Sequence, residues 1–141
     1  MAENPQEQRV RPRPLSPHLT IYHWPVTMVT SITHRLTGVA LYAGTLLLAA
    51  WLMAAGSGLE TYQTFVEAAA TPLGQLVIFG FVWTLAYHLL NGFRHLAFDT
   101  GYGFDVPVAN ATGIIVFVLS FAVVIGIFVL VYAGYGGYLQ P

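Results

Sequence analysis

Residues 84–99 read TLAYHLLNGFRHLAFD, and this stretch determines how the rest of the chain is interpreted. It begins in apolar sequence, yet it carries His88, Asn91, Arg94 and His95. On a helix with about 3.6 residues per turn, His88 and His95 lie on one face, two turns apart. A bilayer does not tolerate such groups without a partner or a purpose. The stretch therefore predicts a functional site inside a membrane helix.

The composition is that of an integral membrane protein. The chain has 141 residues, of which 56% are hydrophobic and 8% are charged, whereas soluble domains have about 25% charged residues. A net charge of −1 without any lysine offers no basic face for nucleic acid. The absence of cysteine excludes disulfides, thiolate-bound zinc and iron–sulfur ligation within the chain. Histidine is the remaining strong nitrogen ligand for a transition metal.

The sequence divides into an arm and a membrane domain. Residues 1–25 are rich in proline and polar groups, which predicts an extended cytoplasmic arm rather than a helix. Residues 26–141 predict a three-helix transmembrane domain, because each apolar run exceeds the roughly 20 residues needed to cross the hydrocarbon layer. The predicted spans are about 26–55, 72–98 and 109–132. We expect a short loop between the first two spans.

The arginines predict the orientation. With three crossings, all of them fall on one side of the membrane, namely Arg9, Arg11, Arg13, Arg35 and Arg94. The opposite loop carries Glu60 and Glu67 and no basic residue. The positive-inside rule therefore predicts a bacterial inner-membrane protein with a cytoplasmic N-terminus and a periplasmic C-terminus. The alternative location is the mitochondrial inner membrane, with the matrix in place of the cytoplasm.

A second polar group of residues lies on the first span. Ser31, His34, Arg35 and Gly38 follow the spacing i, i+3, i+4, i+7, which defines one helical stripe in the sequence SITHRLTG. A hydroxyl, an imidazole and a guanidinium on one stripe bind polar, anionic or carbonyl-bearing groups. Haem propionates and a quinone headgroup both have this chemistry.

Three sequence elements, in this order, resemble the cytochrome b membrane-anchor subunit of succinate dehydrogenase, which is respiratory complex II. They are RPLSPHLTIY at 13–22, SITHRLTG at 31–38 and AYHLLNGFRHLAFD at 86–99. The resemblance covers the arm and the first two spans, whereas the third span matches only in being apolar. It implies an all-α membrane protein with three transmembrane helices and an extended N-terminal arm, within a heteromeric helical bundle.

The resemblance also implies roles for individual residues. His88 matches the axial ligand to the iron of haem b. Ser31 and Arg35 match residues that line the ubiquinone site. His34 matches a histidine associated with the haem propionates and the quinone pocket, and we add Arg35 and Arg94 as propionate partners. No residue of this chain is expected to act on succinate.

The same resemblance implies partner subunits. In the family, a sister membrane subunit supplies the second axial histidine, an iron–sulfur subunit completes the quinone site, and a flavoprotein subunit holds the succinate site. Within this chain, the only plausible partner for His88 as a second haem ligand is His34, which already has another role on the stripe of the first span. We therefore expect the chain to share its haem with the sister subunit. It would serve the enzyme as a non-flavin subunit that anchors the complex and helps to reduce ubiquinone.

Several structural alternatives remain open at this point. His88 and Asn91 could simply hydrogen-bond a neighbouring helix, and His95 could pair with Asp99 at the helix end. Arg35 could be a snorkelling anchor. The glycines Gly38, Gly44 and Gly92 could serve close helix contact alone. Two other functional classes are also open: a membrane anchor without redox chemistry, and a small proton-conducting protein.

Overall fold

The structure, a computed structural model, describes residues 21–135 and shows an all-α membrane protein. The helices are α1 (Val26–Gly56), α2 (Leu59–Ala70), α3 (Pro72–Asp99) and α4 (Val106–Tyr135). Three of them are long and apolar enough to cross a membrane: α1, α3 and residues Val106–Gly134 of α4. Each predicted span lies within one of these helices. Most of the predicted arm, residues 1–20, falls outside the described residues.

Local sequence signals define both ends of α3. Pro72 occupies the first turn, where its missing N–H costs no hydrogen bond. The Thr71 hydroxyl accepts a hydrogen bond from the Gly74 amide at 3.1 Å and caps the helix. At the other end, Gly101 has φ +89°, and its amide donates to the Phe98 carbonyl. Together with the bond from the Tyr102 amide to the Ala97 carbonyl, this glycine completes a Schellman motif that ends the helix.

The expected loop between the first two spans is a helix instead, which corrects the sequence interpretation. Residues 59–70 (LETYQTFVEAAA) form α2, which begins directly after Gly58 at φ +107°. Glu60 falls in the first turn of α2, where a carboxylate is favoured by the helix dipole. The segment is rich in good helix formers, and Leu59, Tyr62 and Val66 follow the helical spacing i, i+3, i+7, but it is too short to be a membrane span. It forms a helix against α1 and α3 rather than a further crossing.

Helix α3 lies at the centre and packs against both α1 and α4. Its buried residues form a single stripe with helical spacing: Thr84, Tyr87, Asn91 and Arg94. Trp83 Nε1 donates to Ser120 Oγ on α4 at 3.1 Å, and the Tyr87 hydroxyl donates to the Thr30 carbonyl on α1 at 3.0 Å. Hydrogen bonds therefore join the three spanning helices in addition to apolar packing.

Most of the spanning surface is not buried by the chain itself. In the apolar windows of α1, α3 and α4, 6%, 11% and 17% of the residues are buried. Large apolar side chains face outwards along all three helices. These faces are available to lipid and to other membrane subunits.

Candidate functional site

Three imidazoles from two helices converge on one side of the bundle. The rings of His34 on α1 and His88 on α3 are stacked, with centroids 3.9 Å apart and planes 13° apart. His95 lies beside them, with its ring centroid 5.0 Å from that of His34. The structure therefore brings polar groups of α1 and α3 together at one level of the bundle.

The segment of α1 that follows His34 holds the His88 ring. Thr37 Oγ1 lies 3.1 Å from His88 Nδ1, and the same hydroxyl donates to the His34 carbonyl at 2.9 Å. A Cβ atom at Gly38 would lie 3.2 Å from His88 Cε1, which is tighter than ordinary van der Waals contact. Glycine at this position therefore lets α1 approach the imidazole closely.

Arg94 points into the bundle and braces all three spanning helices. Its Nη2 donates to the Ala109 carbonyl at 2.9 Å and its Nε donates to Thr112 Oγ1 at 3.1 Å, both on α4. Its Nη1 makes longer contacts, at 3.5 Å to Thr30 Oγ1 and at 3.4 Å to Asn91 Oδ1. Four of the five guanidinium N–H donors thus have acceptors within the chain. These bonds support a bracing role for Arg94, and its contact with a propionate stays a prediction.

A cavity of about 340 Å³ opens beside the imidazole cluster. Its polar lining comes from Thr27 and Ser31 of α1 together with Arg94 and His95 of α3, and Phe98 and Phe104 are among the residues that complete its wall. The structure thus brings Ser31 and Arg94, which lie far apart in sequence, to one concave surface. A cavity with a hydroxyl, an imidazole and a guanidinium can hold a small polar or carbonyl-bearing headgroup.

The remaining predicted residues are placed differently. Arg35 is exposed on α1 and does not line this cavity. The nearest aromatic neighbours of His95 are His34 and Phe98, and within residues 21–135 no ion pair joins it to Asp99. Gly92 faces open space, so a Cβ there would meet nothing within 4 Å.

Sequence reasoning missed the hydroxyl groups that complete the site. Thr30, Thr37 and Thr112 each donate to a carbonyl of their own helix and also contact a polar group of α3. A threonine within an apolar run is not recognised as a site residue from sequence, because its hydroxyl can bond to a carbonyl of its own helix and needs no other partner. The helical register of Thr37 relative to His34, one turn away, is the only signal that pointed to it.

A larger cavity of about 580 Å³ lies towards the other membrane face, between α1, α2 and α3. Its lining is almost wholly apolar and includes Trp51, Phe65 and Phe81. Such a lining offers neither a metal ligand nor a proton carrier. The histidines and arginines of the spanning helices lie instead towards the opposite face.

The fold and the site define a class: multi-pass helical membrane subunits that carry an imidazole cluster beside a polar cavity near one membrane face. Comparison with known families then places the chain within that class. The chain belongs to the succinate dehydrogenase/fumarate reductase transmembrane subunit family, which matches it over residues 9–127.

Individual relatives agree with this placement. The chain is 43% identical over 98 residues to the succinate dehydrogenase cytochrome b556 subunit of Paracoccus denitrificans, covering 70% of this chain and 75% of the relative. It is 40% identical over 109 residues to the subunit of the same name from Rickettsia prowazekii, covering 77% and 84%. It is also 40% identical over 112 residues to the mitochondrial cytochrome b560 subunit of Sus scrofa, covering 77% of this chain but only 65% of that relative. The relatives thus include bacterial and mitochondrial proteins.

Proposed function

We propose that this chain is the haem b-binding membrane-anchor subunit of a succinate:ubiquinone oxidoreductase. It anchors the flavoprotein and iron–sulfur subunits and contributes part of the ubiquinone-reduction site. The observation that carries this proposal is His88, an imidazole within a membrane-spanning helix, enclosed by His34, Thr37 and Gly38. Relatives of the chain are named cytochrome b subunits, which supports the same role.

The residues around His88 fit a haem. An imidazole is the commonest axial ligand in b-type cytochromes, and one nitrogen of His88 is engaged by Thr37, which leaves Nε2 for iron. His34 Nδ1 is buried without a partner among residues 21–135, so a polar atom beside His88 still lacks a hydrogen bond. A haem propionate is a group of the kind this atom requires. When bound, the haem supplies a one-electron carrier within the membrane.

The proposal that the haem is shared rests on the orientation of the two stacked rings. Two axial imidazoles approach iron from opposite sides of the porphyrin, with their lone pairs directed at each other. The rings of His34 and His88 instead lie face to face at 3.9 Å, an arrangement with no space for a porphyrin between them. This geometry supports a second ligand from a sister subunit. The outward-facing apolar surfaces of the spanning helices supply area for such a partner.

The polar cavity supports the quinone part of the proposal. Reduction of a quinone to a quinol requires donors at the carbonyl oxygens and positive charge to stabilise reduced anionic forms. Ser31 offers a hydroxyl within the cavity, and His95 offers an exchangeable proton. Arg35, exposed on the same stripe of α1, is proposed to complete the site at the surface where the iron–sulfur subunit docks.

The orientation and location are proposed from charge. Arg35 and Arg94 lie towards the end of the bundle that is joined to the arginine-rich arm, whereas Glu60 and Glu67 lie on α2 at the other end. The positive-inside rule then directs the N-terminus to the cytoplasm and α2 to the periplasm of a bacterial inner membrane.

A reduced-minus-oxidised visible spectrum of the complex, purified through a tag on this chain, tests the proposal. A b-type spectrum together with co-purified flavoprotein and iron–sulfur subunits is the expected result. Co-purification without haem would instead indicate a membrane anchor without redox chemistry. Proton conduction by the chain alone in vesicles would indicate a small proton-conducting protein, a function that the apolar lining of the larger cavity disfavours.

A further inference from the structure

Thr37 contacts both His34 and His88, and its single hydroxyl proton can be assigned from the geometry. Thr37 Oγ1 lies 2.9 Å from the His34 carbonyl oxygen and 3.1 Å from His88 Nδ1. A carbonyl oxygen can only accept a hydrogen bond. If the hydroxyl gave its proton to His88, two oxygen lone pairs would face each other at 2.9 Å, which is repulsive. The hydroxyl therefore donates to the carbonyl.

This assignment fixes the proton on the imidazole. Because the only proton of Thr37 is directed at the His34 carbonyl, its lone pair must accept a hydrogen bond from His88 Nδ1–H. A neutral imidazole protonated on Nδ1 has its free lone pair on Nε2. The bond to Thr37 thus selects the tautomer in which Nε2 can bind a metal.

The neighbours of Thr37 keep the ring in that position. Thr37 is 4% exposed, so water does not compete for its hydroxyl. Gly38 allows the Cε1 edge of the His88 ring to lie against α1, and the His34 ring covers one of its faces. The imidazole is held at one nitrogen, one edge and one face by three residues of a single turn of α1.

We propose that Thr37 is a positioning residue that sets the tautomer and the basicity of His88 as a haem ligand. This inference rests on the proposed function, in which His88 binds the iron. A hydrogen-bond acceptor at the outer nitrogen increases the electron density that the inner nitrogen gives to iron, and such outer partners change metal affinity by about 10- to 100-fold. The bond favours the oxidised iron and so lowers the midpoint potential of the haem.

The test compares three variants in the assembled complex. Thr37→Val removes the hydroxyl at nearly constant shape, and Thr37→Ser restores it. Thr45→Val is the matched control, because Thr45 makes the same local bond, to the Tyr42 carbonyl, on an exposed face of α1. The readouts are the rate of haem loss to an acceptor protein and the midpoint potential by redox titration.

For Thr37→Val we expect haem loss to be about tenfold faster. We also expect the ratio of reduced to oxidised haem at a fixed ambient potential to rise severalfold, where a tenfold rise equals about 59 mV for one electron. Thr37→Ser and Thr45→Val should match the wild type in both measurements. Wild-type values for Thr37→Val, or equal shifts in Thr37→Ser, would overturn the inference.

A second measurement uses the haem-free complex, because iron bound at Nε2 would by itself leave the proton on Nδ1. In the haem-free wild-type complex labelled with ¹⁵N-histidine, the His88 ring should carry its proton on Nδ1, and haem-free Thr37→Val should lose this preference. A proton on Nε2 in the haem-free wild type would overturn the inference even if no variant assembles. A wild-type complex that cannot bind haem but has Nδ1 protonated would refute the proposed function while leaving the tautomer assignment intact.

Discussion

The imidazole of His34 lies parallel to that of His88 at a centroid distance of 3.9 Å, although 54 positions separate the two residues in the chain. The stack joins α1 to α3 at the depth where both helices carry their polar groups. It also gives the two histidines different tasks, since stacked rings cannot bind one iron from opposite sides. His88 is the proposed ligand, and His34 is the proposed neighbour that contacts the propionates.

The proposed ligand role predicts a selective loss of haem. We expect His88→Ala to remove the b-type absorbance from the purified complex, because no other ligand of this chain would remain at that position. His95→Ala is the matched control, since His95 lies two turns further along the same face of α3. The complex that carries this substitution should retain its haem. Absorbance at the wild-type level in His88→Ala would remove this residue from the iron.

The polar cavity predicts a specific defect in quinone reduction. We expect Ser31→Ala to lower succinate:ubiquinone reductase activity about tenfold or more, because a hydrogen bond that strengthens in the transition state is lost. Succinate oxidation by an artificial dye should stay at the wild-type level, since in the proposed function the succinate site belongs to the flavoprotein subunit. Ser57→Ala, at an exposed serine at the end of α1, should change neither activity. Equal loss of both activities in Ser31→Ala would indicate misassembly instead.

The Arg94 network predicts a loss of stability. We expect Arg94→Ala to destabilise the assembled protein by about 2–4 kcal/mol, because it removes buried hydrogen bonds and leaves a cavity between the helices. Arg94→Lys should not restore stability, since a single ammonium cannot reach both Ala109 and Thr112 in the geometry of a guanidinium. The measurement is the thermal midpoint of the detergent-solubilised complex. The exposed Arg35 provides the control, and a drop in Arg35→Ala of equal size would contradict a special role for Arg94.

A close approach of α1 to α3 predicts a steric effect at Gly44. A Cβ atom there would overlap the ring of Phe81. We expect Gly44→Ala to cost about 1–3 kcal/mol, because the ring must leave its position. Gly80→Ala, on α3, has nothing within 4 Å of the added atom and should be neutral or slightly stabilising. Thermal midpoints that fall equally for both variants would show that the contact with Phe81 is not the cause of the loss.

The spanning helices could be predicted from sequence because their signal is strong and local. A run of apolar residues long enough to cross a bilayer has few alternative structures. Pro72 and Gly101 marked the ends of α3 through their backbone preferences, which also act locally. The helix α2 was missed because its 12 residues are too few for a membrane span, although Leu59, Tyr62 and Val66 follow a helical apolar spacing.

The site was predictable only in part. His34, His88 and His95 could be expected to converge, because two consecutive spans cross the membrane in opposite directions, which brings the start of the first and the end of the second to the same face. Their distances depend on how α1 packs against α3, which Gly38 and Gly44 permit but which no local pattern specifies. Arg94 points inwards because its acceptors are on α4, the next helix after the α3–α4 turn. No pattern within α3 indicates those acceptors, so this direction could not be predicted from the sequence.

The acceptors of Arg94 also have a consequence for biogenesis. A newly made α3 carries Arg94 near the end of a membrane span, where a charge without partners is unfavourable, and the shortest hydrogen bonds of this arginine, to Ala109 and Thr112, are made with a helix that is synthesised later. The translocon therefore gains by retaining α3 until α4 arrives and then releasing the two as a hairpin. Truncation after the α3–α4 turn is expected to leave α3 poorly integrated, and restoration of the first turns of α4 is expected to rescue its integration.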